Sequence, residues 1–194
     1  MKLWQRVLPF FLIALLACAT AHAELDENTL MDGLACTVQP DTNGIDTVIR
    51  PDNQPYVAVC EDASHEMIVY VDFVEMPNLN GTFLRLTCSL VSGSMTDIDT
   101  LRIDASSGSW IFDTSREVSE YDDMYYEDYA ALLGTDGMAM MKVLAKKDLP
   151  LTLTLEGDND CITAALTLPS EDMKLLYDRF VSAGGMEQDF TLID

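Results

Sequence analysis

Basic residues are scarce in this chain: 11 lysines and arginines stand against 33 aspartates and glutamates, with only 2 histidines. The formal net charge of −22 repels nucleic acid and anionic lipid, and attracts cationic partners or divalent ions. The shortage of histidine excludes most imidazole chemistry. Serine or cysteine hydrolase chemistry would have to run through His65, in Ser64-His65-Glu66, whose place in an expected hairpin turn reads as an exposed turn residue. Also lacking are G-x-S-x-G, H-E-x-x-H, a phosphate-binding glycine loop and a dinucleotide fingerprint. No internal repeat or low-complexity linker divides the chain, and beyond its N-terminal segment no uncharged apolar run reaches membrane-spanning length. The apolar content of 48% is ordinary for a globular protein, so the acidity belongs to a surface and does not imply disorder.

What is present begins with an export signal. Lys2 and Arg6 form a positive n-region, Val7 to Ala17 is apolar but for Pro9, and Ala21-His22-Ala23 fits a small-x-small cleavage site before Glu24. Residues 1–23 therefore read as a signal peptide, and residues 24–194 as one periplasmic or extracellular domain. Cleavage removes Lys2 and Arg6 and no acid, taking the charge from −22 to −24. A competing reading treats Leu15-Leu16-Ala17-Cys18 as a lipoprotein box with a lipid anchor on Cys18. Leu16 is bulkier than that motif prefers, and simple cleavage is favoured. The remaining cysteines, Cys36, Cys60, Cys88 and Cys161, suggest two disulfides with three possible pairings. Cys36–Cys60 and Cys88–Cys161 are favoured, each contributing about 3–4.5 kcal/mol on the chain-entropy model. A metal would need paired C-x-x-C spacing or nearby histidines, and neither exists.

Short β segments are expected over 34–38, 45–49 and 56–60, with a central strand over Met67–Val74. Leu84, Leu86, Cys88 and Leu90 alternate along the next strand and place Cys88 inward. A hairpin follows over 98–104 and 109–113. The spacing of Tyr121, Tyr125, Tyr129 and Leu132 predicts a helix capped by Ser119 and stopped by Gly134. Thr135 caps a second helix with Met138, Met141 and Leu144 as its apolar stripe, which makes these methionines core gap-fillers rather than soft copper ligands. Leu149–Leu155 and Ile162–Leu168 alternate as a hairpin around Gly157-Asp158-Asn159-Asp160. Ser170 then caps a last helix whose Met173, Leu176, Tyr177 and Phe180 face that hairpin. The fold class expected is α+β: an antiparallel β-rich body, sandwich-like or curved, followed by helices, a β-hairpin and a C-terminal helix.

The C-terminal part (MMKVLAKKD, two strands, then MKLLYDRF) resembles the tail of invasion-associated locus B-type periplasmic proteins in its order of elements. The closely spaced cysteine pair of that family is missing, because Cys161 has no near neighbour, so no residue role or activity is carried across.

The candidate site is Glu117–Tyr129 (EVSEYDDMYYEDY), which crowds carboxylates and tyrosines together. Asp122, Asp123, Tyr126 and Glu127 are its expected partner-binding residues, the acids steering a cationic protein or peptide and the tyrosine giving rigid contact area. No catalytic residue, metal site or cofactor is expected. The chain reads as a non-enzymatic envelope or secreted protein. The alternatives are an inhibitor of a basic hydrolase such as a lysozyme, inserting Asp122-Asp123 or Asp158-Asn159-Asp160 into a cationic cleft, and a carboxylate-dependent enzyme or calcium-dependent module.

Overall fold

A computed structural model describes residues 30–31, 34–41, 43–79 and 81–185. The expected signal peptide, its cleavage site and Cys18 lie outside the described residues. Leu30 and Met31 are helical, and Leu30 is buried. Among the described residues eleven strands form one curled, half-barrel sheet: β1 (Cys36–Pro40), β2 (Thr47–Pro51), β3 (Tyr56–Cys60), β4 (Glu66–Met76), β5 (Gly81–Ser92), β6 (Thr100–Ala105), β7 (Gly108–Asp113), β8 (Ser115–Tyr121), β9 (Met124–Leu132), β10 (Leu149–Glu156) and β11 (Cys161–Leu168). The described helices are α1 (Thr135–Leu144) and α2 (Ser170–Ser182). Of the described residues 54% are in antiparallel strands and only 18% are helical, so the fold is β-rich rather than an even α+β division.

The sheet runs β7-β6-β10-β11-β3-β4-β5-β9-β8, with β4 at its middle as its β-branched and aromatic run predicts. One edge of β4 is shared: β3 pairs with it up to Val69, and β2 takes over from Phe73, with β1 outside β2. Val71 falls in the gap between them. There the Gln54 side chain substitutes for a strand, its Nε2 donating to the Val71 carbonyl at 2.5 Å while its Oε1 accepts from the Val71 N–H at 2.7 Å. A buried backbone pair left open at that point would weaken the centre of the sheet.

Alternation places Val69, Val71 and Phe73 of β4, with Leu84, Leu86, Cys88 and Leu90 of β5, on one apolar face. Leu151, Leu153 and Leu155 of β10 join the same core, as do Ile162, Ala164, Leu166 and Leu168 of β11. Both helices bury their stripes there: Met138, Met140, Met141 and Leu144 from α1, and Met173, Leu176 and Phe180 from α2. Phe180 stacks on Phe73 with ring centroids 6.4 Å apart. The cap of α2 differs from expectation. Pro169 is the N-cap and Ser170 the first helical residue, whose N–H donates to Asp148 Oδ1 at 2.7 Å. The capping carboxylate therefore comes from the segment before β10, and hydrogen bonding from Ser170, by its backbone first and then its hydroxyl, holds Asp148 below the usual carboxylate range.

The largest departure is the expected tyrosine helix, which is the β8–β9 hairpin. Its turn is Asp122-Asp123, both in the left-handed region (φ 55° and 61°), the pairing that a tight two-residue hairpin demands. Tyrosine and valine favour a pleated surface, and two strands with neighbours available outcompete an isolated acidic helix. The four cysteines are unbridged, so the expected pairs Cys36–Cys60 and Cys88–Cys161 are not formed here. Cys88 is fully buried in the core, whereas Cys161 stands exposed on the opposite parity from buried Ile162. Cys36 and Cys60 lie on strands that do not pair with each other. Bracing comes instead from the continuous ladder.

Candidate functional site

The β8–β9 hairpin has two chemically opposite faces. On the core side Glu127 is fully buried. Arg116 Nε donates to Glu127 Oε1 at 3.0 Å, the Thr96 N–H and hydroxyl donate to Oε2 at 3.1 and 3.0 Å, and the Tyr129 hydroxyl donates to Oε1 at 3.1 Å. Burial first, then Glu127, push the Tyr129 phenol up to about 12 against an opposing bond from Thr96. A carboxylate this enclosed persists because its lone pairs are satisfied. Glu127 is therefore corrected from a surface residue to an internal anchor that ties the 93–99 segment to β9.

The opposite face carries the candidate site, a groove of about 1400 Å³. Its floor is made of cross-strand rows. In the first, Arg50 of β2, Asp72 of β4 and Arg85 of β5 stand side by side, Asp72 registering opposite Arg85. Asp72 is fully buried and binds both arginines: Arg50 Nη2 donates to Oδ2 at 2.8 Å and Arg85 Nε to Oδ1 at 3.1 Å. Arg85 Nη1 also reaches Asp41 Oδ2 at 2.6 Å. Burial pulls the Arg85 guanidinium down, but Asp72 and Asp41 outweigh it and hold it above its ordinary value. Arg50 lies flat over the Tyr70 ring, 3.6 Å from its centroid.

The next row is Tyr70, Thr87, Ala130 and Ser115, and the one beyond is Ser89, Asp128 and Glu117. Ser89 donates to Asp128. Desolvation, then the carboxylates of Asp41 and Asp128, raise Glu117 above the ordinary glutamate range, with Arg85 opposing and Asp46 adding to the rise. Four carboxylates from β8, β9 and the β1–β2 loop thus share one field.

Of the expected partner-binding residues, Asp122 and Asp123 form the exposed hairpin tip. Tyr121 beside it is 73% exposed, and Tyr126 is 42% exposed on the groove face. Asp128 and Glu117 were missed by the helical reading, although their alternation with Glu127 and Arg116 carries the signal. Asp158-Asn159-Asp160 is an internal brace: Asp160 Oδ2 accepts from the Asp97 N–H at 2.7 Å. Gly157 beneath it passes so close that an added Cβ would lie 1.4 Å from the Asp97 carbonyl oxygen.

His65 occupies a surface turn with Asp62 and Ser64, both of which approach its Nδ1, at 3.5 and 3.2 Å. A relay needs the base on one ring nitrogen and the orienting acid on the other, so this trio is not a catalytic triad. Cys88 is pushed up to about 12 by burial and by the neighbouring Cys60, which makes it a poor nucleophile. Burial, followed by nearby aspartates, also raises Cys36 and Cys60. Among the described residues no cluster of three metal-ligating side chains occurs, and no helix is long and apolar enough to cross a membrane.

Comparison with protein-family models, curated proteins and solved structures finds no match to this chain.

Proposed function

We propose that this chain is an exported, acidic, non-enzymatic binding protein of the bacterial envelope or exterior that docks a cationic protein. The observation that carries this reading is the β8–β9 tip, where the exposed carboxylates Asp122 and Asp123 stand between exposed Tyr121 and Tyr126. The acids raise the rate of encounter with a basic surface, and the tyrosines supply contact area at little entropic cost. A two-residue turn projects little backbone and is narrow enough to enter a cleft, which favours inhibition of a basic hydrolase such as lysozyme as the second reading. Asp158-Asn159-Asp160 has less to offer there, because Asp160 is engaged by the Asp97 backbone.

The test replaces Asp122→Asn with Asp123→Gly, which removes both charges and keeps residue types that tolerate positive φ. With egg-white lysozyme as the basic probe in biolayer interferometry, the expected result is at least tenfold weaker binding at an unchanged or higher melting temperature. Equal binding by both proteins would remove the proposal. Loss of lytic activity at stoichiometric wild-type protein would select the inhibitor reading.

A further inference from the structure

We infer that the groove beside this hairpin is a built site for an alkylammonium group, a flexible organic cation with an apolar stem such as a lysine side chain or a free polyamine. Two independent observations meet there. Glu117 and Asp128, from adjacent strands, converge on one end of the groove, and Asp46 and Asp41 border it from the β1–β2 loop. The second is Thr87, which lines the groove at 5% exposure and whose Oγ1 is buried with no hydrogen-bond partner. An orphaned buried hydroxyl carries a desolvation penalty that a bound donor relieves.

The charge balance selects the ligand. Arg50 and Arg85 are held by Asp72 and Asp41, so the groove's cations are already neutralised, while Glu117 and Asp128 lack a basic neighbour as close. The raised Glu117 agrees, since a cation arriving there would lower the mutual repulsion. Exposed Ile111 and the Tyr70 ring give an alkyl stem apolar contact along the same groove. A divalent metal fits less well, because the described residues hold no cluster of three ligating groups.

The inference rests on the cationic-partner reading, but the two fail separately. Spermidine is the probe, titrated calorimetrically at low salt into the full chain. Saturable one-to-one heat is expected, with affinity falling at least tenfold in Glu117→Gln with Asp128→Asn. It should be unchanged in Glu61→Gln with Glu66→Gln, which removes the same charge from two exposed positions, in the β3–β4 turn and at the start of β4. Thr87→Val keeps the side-chain shape and should melt at the same temperature or higher while binding several-fold more weakly. Equal binding in the groove variant, unchanged affinity in Thr87→Val, or displacement of spermidine by equimolar calcium would each overturn the site. A Gly-Lys-Gly-Lys-Gly peptide binding tighter than spermidine would assign a protein source, and the reverse a free polyamine. If lysozyme binds through the hairpin tip and spermidine does not bind, the docking reading stands and this one falls.

Discussion

Glu127 and Asp128 are adjacent in β9, carry the same charge, and occupy opposite environments. Glu127 points inward, fully buried, with its oxygens occupied by Arg116, Thr96 and Tyr129. Asp128 points outward into the groove, bound by Ser89 and facing Glu117. In this protein strand parity, not acidity, sorts carboxylates into those that hold the fold and those available to a partner. A chain this acidic offers many carboxylate pairs, and only their placement separates the roles.

The largest effect is expected on the inner side. Glu127→Ala would leave the buried Thr96 backbone N–H without its acceptor and Arg116 without its carboxylate partner, lowering stability by about 3 kcal/mol in urea unfolding. A loss below about 1 kcal/mol would mean that Glu127 is no anchor. On the outer side the expected effect is smaller and of opposite sign. The folded state holds the Glu117 proton more tightly than the unfolded chain does. Its contribution is therefore fully present below the ordinary glutamate range and is lost as pH rises through the raised folded value. Glu117→Gln escapes that loss. It should melt slightly above wild type at neutral pH, by less than about 1 kcal/mol because solvent screens an exposed carboxyl, with the gap closing on acidification. Facing groups Asp41, Asp46, Asp128 and Arg85 stay in place in both proteins, so the difference reports Glu117 alone.

Much of the fold was legible in the residues. The alternating leucines of β10 and β11, the β-branched run of β4 and the stripe of α2 each obey one period, and each forms the element that period predicts. The hairpin at 115–132 was misread for a physical reason. Tyr125 and Tyr129 are four apart, an even interval, so they satisfy one helical face and one strand face alike, while Tyr121 lies across the turn on the opposite face. The deciding signal was Asp122-Asp123, a pair able to take positive φ between two β-prone runs. The groove was less legible still. Arg50, Asp72 and Arg85 lie far apart in the chain and meet only because β2, β4 and β5 are neighbours in register. Of the two favoured cysteine pairs, Cys88–Cys161 is separated by parity, since Cys161 falls outside the alternation that buries Ile162.

Calorimetric titration of spermidine into Asp128→Asn and Glu127→Gln, run side by side with thermal melts, tests the division most directly. Asp128→Asn is expected to keep the wild-type melting temperature and lose most of its affinity, while Glu127→Gln melts lower and still binds at temperatures where it is folded. Equal loss of affinity in both variants, or a lower melting temperature in Asp128→Asn than in Glu127→Gln, would contradict it.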